Sequence, residues 1–139
     1  MNVTTKVEVA IGHRLLGYEG KCGHIHGHNY VFEITVQGNP DGLGMVYDFK
    51  DLKKSLREIL DPFDHALVLH HEDPAGELLP MEKLVLLSVN PTAENFASLV
   101  YGKLVDRNYA PARVVVKETE DGWAEAIGVD RSVRVRVIQ

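Results

Sequence analysis

The chain has 139 residues, of which 45% are hydrophobic and 25% are charged, and its formal net charge is −5. This length suits one domain with a single core, and no apolar run approaches the roughly 18 residues of a membrane span. With one cysteine, no apolar signal core and no basic surplus, we expect a cytoplasmic protein that binds neither membrane nor nucleic acid.

The chain reads as strands, then helices, then strands. The predicted elements cover residues 6–11, 30–36, 49–60, 92–107, 112–119 and 123 onward. Alternation of polar and apolar residues identifies the strands. Apolar residues three and four apart identify the helices, the first with Phe49 at the start of its apolar face. Asp48 and Thr92 stand where N-cap residues belong.

Two remaining segments complete the expected fold. Residues 70–73, His-His-Glu-Asp, are expected in an exposed loop. The tail alternates valine and arginine over residues 133–137, so residues 128–139 are predicted to add an edge strand whose arginines discourage pairing with another chain. The result is one domain of residues 1–139, of the α+β class, with helices packed on an antiparallel sheet.

A cysteine and three histidines stand within seven positions of the segment KCGHIHGHNY. His26 and His28 lie two apart where a strand begins, so both side chains can reach one ion. His24 and His28 would lie roughly 13 Å apart along an extended strand, which strains a shared site with bonds of about 2 Å. His13, at the end of the neighbouring strand, is the better third zinc ligand. Because the chain has seven histidines, scattered histidines that bind nothing are the alternative.

Cys22 has three interpretations. Free cysteines are usually buried apolar residues, but the flanking Lys21, Gly23 and His24 are polar and flexible. Cys22 could instead be a fourth zinc ligand that closes a structural site. It could also be an unligated thiolate beside the metal, with a pKa lowered by positive surroundings. Spacing alone does not decide between ligand and nucleophile or base.

Two further polar features are candidates for chemistry. Asp64 can orient His65 and stabilise its protonated form. That pairing requires a turn, since neighbours on a strand point apart, and a solvated loop is the alternative. Glu118 alternates with Val114 and Val116 and falls on an apolar face, where a carboxylate needs a donor. The donor is either a structural group or the N–H groups of a ligand.

Taken in order, five motifs resemble those of the 6-pyruvoyltetrahydropterin synthase family. They are His13, Cys-x-x-x-His-Gly-His from Cys22 to His28, Asp64-His65, Pro91-Thr92-Ala93-Glu94-Asn95 and Lys117-Glu118-Thr119. The spacer of three residues after Cys22 is similar to that of the family's bacterial 6-carboxytetrahydropterin synthases of queuosine biosynthesis. The pyruvoyl-forming animal members have a longer spacer.

The resemblance implies a fold and a set of roles. The fold is the tunnelling fold, with two helices on a four-stranded antiparallel sheet. Trimers form a barrel and stack as a homo-hexamer, with active sites between subunits. The implied zinc ligands are His13, His26 and His28. The implied catalytic residues are Cys22, Asp64, His65 and Glu118. The implied substrate-binding residues are Glu118, Thr92 and Glu94.

The resemblance also implies a reaction. It is the zinc-dependent conversion of 7,8-dihydroneopterin triphosphate to 6-carboxy-5,6,7,8-tetrahydropterin, with release of acetaldehyde and triphosphate. Lys21, Arg14 or His24 would meet the triphosphate. The alternative within the family stops after triphosphate elimination, at 6-pyruvoyltetrahydropterin. A third hypothesis is a non-enzymatic interaction domain stabilised by zinc, with Cys22 as a ligand.

Overall fold

The computed structural model of the chain describes residues 1–79, 83–128 and 133–138. Within these residues the chain forms seven strands and three helices. In chain order they are β1 Asn2–His13, β2 His26–Gln37, α1 Phe49–Leu60, β3 Ala66–His70, α2 Ala75–Leu78, β4 Leu84–Leu87, α3 Ala93–Asp106, β5 Pro111–Thr119, β6 Gly122–Ala126 and β7 Val135–Val137. A short 3-10 turn, Lys21–Gly23, lies between β1 and β2.

The strands join one mixed sheet in the order β6-β5-β2-β1-β3-β4-β7. Neighbours are antiparallel from β6 to β1 and again between β4 and β7, whereas β1, β3 and β4 run parallel. The fold is therefore α+β. The prediction of four antiparallel strands and two helices is wrong in extent, because β3, β4 and α2 are absent from it.

Strands β3 and β4 were not predicted from the sequence because they are continuous apolar runs. Ala66 to Leu69 of β3 are all buried. Val68 belongs to the main core, whereas Leu67 and Leu69 belong to a smaller cluster on the opposite face of the sheet. A strand buried on both faces carries no alternating polar residues. The period of two that identifies the other strands is therefore missing here.

The main core lies between the sheet and helices α1 and α3. Helix α1 packs against β1, and α3 packs against β5 and β6. The predicted N-caps form, since Asp48 accepts a hydrogen bond from the N–H of Lys50 and Thr92 from that of Asn95. The placement of Phe49 on the apolar face is wrong. Its side chain is 57% exposed, because the first residue of α1 lies before the stripe that faces the sheet.

The segment of residues 70–73 and the C-terminal tail agree only in part with the sequence prediction. His70 ends β3, and Asp73 is buried rather than exposed, because it pairs with Arg14. In the tail, β7 pairs with β4 at the edge of the sheet. Residues 129–132 and 139 of the predicted edge strand lie outside the described residues. No helix in the described part of the chain is long and apolar enough to cross a membrane.

Candidate active site

The register of β1 and β2 brings three histidines together. His13 ends β1, His26 begins β2, and the antiparallel ladder pairs the two residues directly. His28 points to the same face as His26, because side chains alternate along a strand. The ring centroids of His26 and His28 are 4.9 Å apart, and those of His13 and His28 are 5.2 Å apart. His24 directly follows the 3-10 turn and contacts this cluster through its backbone carbonyl.

The geometry of the three imidazoles fits a metal ion. One ligand atom from each histidine lies within 4.8 Å of the others, and the Nε2 atoms of His13 and His26 are 3.2 Å apart. Two nitrogens bound tetrahedrally to one zinc at about 2.0–2.1 Å would be separated by roughly 3.3 Å. The spacing of these two nitrogens is thus close to that of a shared ion.

Hydrogen bonds fix the tautomers of two rings. His13 Nδ1 donates to the carbonyl of Pro91 at 2.7 Å, and His26 Nδ1 donates to the carbonyl of His24 at 2.7 Å. Each Nε2 then carries a lone pair, as a metal ligand must. Within the described part of the chain, His28 Nε2 is the only buried side-chain nitrogen or oxygen without a hydrogen-bond partner. An orphaned buried nitrogen at this point fits a missing ligand bond.

Burial also favours the neutral state that metal binding requires. Desolvation lowers the pKa of His13 below its ordinary value, against the raising effect of the Pro91 hydrogen bond. Desolvation likewise lowers the pKa of His28, against the raising effect of Glu118. A buried imidazole loses its proton more readily because the charged form is the poorly solvated one. The lowered pKa of each ring thus favours the neutral imidazole, which has a lone pair available for a metal ion.

Cys22 lies in the 3-10 turn beside the histidines but outside their cluster. It is half-buried and lines a cleft of about 390 Å³ together with His13, Glu118 and the start of α3. The N–H of Leu15 donates to the Cys22 carbonyl at 2.9 Å, which ties the turn to the end of β1. Since Cys22 does not join the group of ligand atoms, the arrangement favours an unligated thiol over a fourth ligand.

Glu118 lies on the same cleft, near the end of β5. Its Oε1 accepts a hydrogen bond from the Tyr30 hydroxyl at 3.2 Å and lies 3.5 and 3.6 Å from the Nε2 atoms of His13 and His28. The side chain is 34% exposed, so the carboxylate faces both core and cleft. Tyr30 is fully buried, and desolvation raises the pKa of its phenol, which keeps the proton to donate. Glu118 therefore has a structural donor and remains open to a ligand.

Thr92 and Glu94 line the cleft from the first turn of α3. The Thr92 side chain caps the helix by accepting from Asn95 at 3.2 Å. Asn90 anchors the preceding loop, since its side chain exchanges two hydrogen bonds with the backbone of Leu16 at 2.8 and 3.0 Å. The loop before α3 is thereby held against the loop that follows β1.

Asp64 and His65 form their pair on a turn, at a different place. His65 Nδ1 and Asp64 Oδ1 are 2.8 Å apart, and His65 has a left-handed backbone with φ of 57°. The His65 side chain is 80% exposed. It lines a separate cleft of about 690 Å³ that also includes His26 and His28 but not Cys22. Within one chain, the structure does not bring this pair into the cleft of Cys22 and Glu118.

The family profile described as 6-pyruvoyl tetrahydropterin synthase matches residues 2–128. The chain belongs to this family. A Rickettsia typhi protein named 6-carboxy-5,6,7,8-tetrahydropterin synthase is 36% identical to it, over 88% of this chain and 96% of that protein. A Haemophilus influenzae protein of the same name is 31% identical, over 83% and 90%. Most of this chain therefore aligns with each of these two relatives.

Solved structures agree with the fold of this family member. The 6-pyruvoyl tetrahydropterin synthase of Caenorhabditis elegans superposes with a TM-score of 0.67 at 26% identity, over 92% of this chain and 95% of that one. An uncharacterized protein from Wolinella succinogenes superposes with a TM-score of 0.76 at 19% identity, over 91% and 97%. The second likeness concerns the fold alone.

Two residues that contact this candidate site or its neighbouring turn, Tyr30 and Lys83, are missing from the sequence prediction. Tyr30 shares the parity of His26 and His28 along β2, and that parity is the signal that could have found it. Lys83 donates to the carbonyls of Asp61 at 2.7 Å and Asp64 at 2.6 Å, a role that no local pattern indicates. Arg14, a suggested triphosphate contact, is instead held by the buried carboxylate of Asp73.

Proposed function

We propose that this protein is a zinc-dependent lyase that converts 7,8-dihydroneopterin triphosphate and one water to 6-carboxy-5,6,7,8-tetrahydropterin, acetaldehyde and triphosphate. The proposal is carried by one observation: His13 belongs to a group of three imidazoles and also lines the cleft that holds Cys22 and Glu118. The names of the Rickettsia typhi and Haemophilus influenzae relatives support the same product. We propose a cytoplasmic location and a role in queuosine biosynthesis.

His13, His26 and His28 would hold the metal. Zinc suits them because catalytic zinc sites use three protein ligands and keep one position open. Bound there, zinc would supply a Lewis acid that lowers the pKa of the substrate's side-chain hydroxyls. The hydrogen bonds from the Nδ1 atoms of His13 and His26 to backbone carbonyls support this role, since such bonds orient metal-binding imidazoles.

Cys22 and Glu118 would act on the pterin itself. Glu118 would accept hydrogen bonds from the exocyclic amine and a ring N–H, a bidentate arrangement that suits a carboxylate. That contact would fix the plane of the ring at the floor of the cleft, with Thr92 and Glu94 along its side. The Cys22 thiolate would then remove the carbon-bound proton next to the ring, as a general base.

Asp64 and His65 would come from a neighbouring copy of the chain. His65, oriented by Asp64, would carry protons to and from the substrate side chain. The 80% exposure of the His65 side chain and its place outside the Cys22 cleft support this arrangement. We propose a homo-hexamer, built as a dimer of trimers, in which this turn reaches the cleft of the next subunit.

Product analysis tests the proposed reaction. Zinc-loaded protein is incubated anaerobically with 7,8-dihydroneopterin triphosphate, and acetaldehyde, triphosphate and the pterin product are measured. We expect acetaldehyde and 6-carboxytetrahydropterin in equal amounts. Protein with Cys22→Ala and full zinc content is the matched control and should form both at least about a hundred-fold more slowly.

Other products would redirect the assignment. Triphosphate release with a 6-pyruvoyl product would move the protein to the branch of its Caenorhabditis elegans relative and leave the site residues in their roles. The absence of any turnover in the zinc-loaded hexamer would reject the reaction and favour a structural metal site.

A further inference from the structure

Tyr30 lies between the group of three histidines and the carboxylate of Glu118. It follows His28 by two residues on β2 and is completely buried. Its ring packs edge-on against His13 and His28, with centroid distances of 5.7 and 5.5 Å, and against Phe96 of α3 at 5.4 Å. The ring therefore belongs to the core, and its hydroxyl lies against His13 and Glu118, two residues that line the cleft.

The hydroxyl has one proton and three atoms within reach. It lies 3.1 and 3.2 Å from Nδ1 and Nε2 of His13 and 3.2 Å from Oε1 of Glu118. His13 Nδ1 already donates its proton to the Pro91 carbonyl, so it offers no lone pair. Nearly equal distances to both ring nitrogens also mean that neither nitrogen is aimed at the hydroxyl. Glu118 is therefore the acceptor.

Glu118 depends on this one donor. Among the residues that the structure describes, Tyr30 is the only group that donates a hydrogen bond to its carboxylate. Oε1 also lies within 3.6 Å of two of the nitrogens that would bind the metal. A released carboxylate would be drawn toward the charge of a bound divalent ion, because little separates them.

We propose that Tyr30 is a positioning residue, which holds Glu118 Oε1 by a hydrogen bond and keeps the carboxylate turned to the pterin and off the metal's open position. The inference rests on the proposed function, since the ligand of Glu118 is taken to be a pterin. It assigns to Tyr30 a role in substrate affinity that is separate from metal binding and from core packing.

Binding of 7,8-dihydropterin to the zinc-loaded protein tests this role. This ligand lacks the side chain, so it cannot react and has no hydroxyls for the metal. We expect Tyr30→Phe to weaken its Kd about ten-fold, the size expected for losing one hydrogen bond to a charged group. Zinc content and circular dichroism should be unchanged, because the ring that packs in the core is kept.

Two further variants make the test specific. Tyr101→Phe is the matched control, since it also removes a buried tyrosine hydroxyl, one that donates to the Pro111 carbonyl at 2.9 Å. It should leave the Kd unchanged. In a Glu118→Ala background, which removes the acceptor, Tyr30→Phe should cause no further loss, because its effect passes through the carboxylate.

The outcomes separate the two proposals. An unchanged Kd in Tyr30→Phe, or an equal further loss in the Glu118→Ala background, would overturn the role of Tyr30 alone. Failure of the wild-type protein to bind any dihydropterin would overturn the proposed function and this inference with it.

Discussion

His13 and Pro91 are joined by a hydrogen bond of 2.7 Å between Nδ1 and the backbone carbonyl, across 78 residues of sequence. The bond orients an imidazole of the group of three histidines that could hold a metal ion. It also fixes the loop from which Thr92 and Glu94 enter the cleft. One contact thus aligns the side of the site that would hold the metal with the side that would hold the pterin.

Removal of one imidazole should abolish tight zinc binding. His28→Ala deletes a proposed ligand whose Nε2 has no hydrogen-bond partner in the described part of the chain. We expect the zinc Kd to rise at least about a hundred-fold, measured by competition with a chromogenic chelator. His24→Ala is the control, since that exposed ring lies outside the cluster. Equal weakening by both variants would contradict the assigned ligand set.

Cys22→Ala should separate chemistry from metal binding. Because Cys22 lies outside the group of ligand atoms, zinc content and Tm should match those of the wild type. Turnover should fall by a factor of about 10²–10⁴, the usual contribution of a general base. If the variant lost zinc and stability together, Cys22 would be a fourth ligand and the site would be structural.

Lys83→Met should impair turnover without changing ligand binding. The Lys83 ammonium donates to two carbonyls of the turn that carries Asp64 and His65, so its loss frees that turn. We expect kcat to fall about ten-fold, in proportion to one or two lost charge-assisted hydrogen bonds. Zinc content and the Kd for 7,8-dihydropterin should not change.

Lys53→Met provides the comparison for that variant. Lys53 is an exposed residue of α1 and lines neither cleft. Its substitution by methionine therefore removes the same charge at a distance from the site. A kcat for Lys83→Met equal to that of Lys53→Met would contradict a positioning role for Lys83.

Asp73→Asn should lower stability in a manner that depends on pH. The fully buried Asp73 carboxylate pairs with Arg14 and caps the backbone of Ala75 at 2.9 Å. We expect the free energy of unfolding at pH 7 to fall by about 2 kcal/mol, below the value for fully buried pairs because Arg14 is partly exposed. Urea titration measures this difference.

The direction with pH follows from the pKa of Asp73. The Arg14 hydrogen bond lowers that pKa in the folded protein, so the pair stabilises the fold above about pH 4, the unfolded value. The difference between wild type and Asp73→Asn should shrink as the pH falls below 4. Glu58→Gln, which breaks the exposed pair with Arg107, should change stability little at any pH. A constant Asp73→Asn difference down to pH 2 would contradict this account.

Local sequence patterns were sufficient to predict a strand or helix where one face of that element is polar. The alternation around Tyr30 to Val36 and the capped helices α1 and α3 recur in the structure. The suggestion that His13 lies opposite the His-Gly-His segment agrees with the register of β1 and β2. The roles of these residues in catalysis stay predictions.

Long-range contacts decided what the sequence could not. Strands β3 and β4 are buried on both faces, so they lack the alternation by which strands are recognised. The burial of Asp73 depends on Arg14, 59 residues earlier, and the hold of Lys83 on the turn at Asp64 depends on strand β4.

The sequence by itself determined the chemistry, that is, which side chains can bind a metal and which can donate or accept a proton. It also determined the strands in which polar and apolar residues alternate. Only the tertiary structure decided which of them meet. It gathers His13, His26 and His28, sets Glu118 against Tyr30, and leaves His65 in another cleft. The physical reason is that strand register and helix packing fix distances between residues far apart in the chain, and local patterns carry no record of those distances.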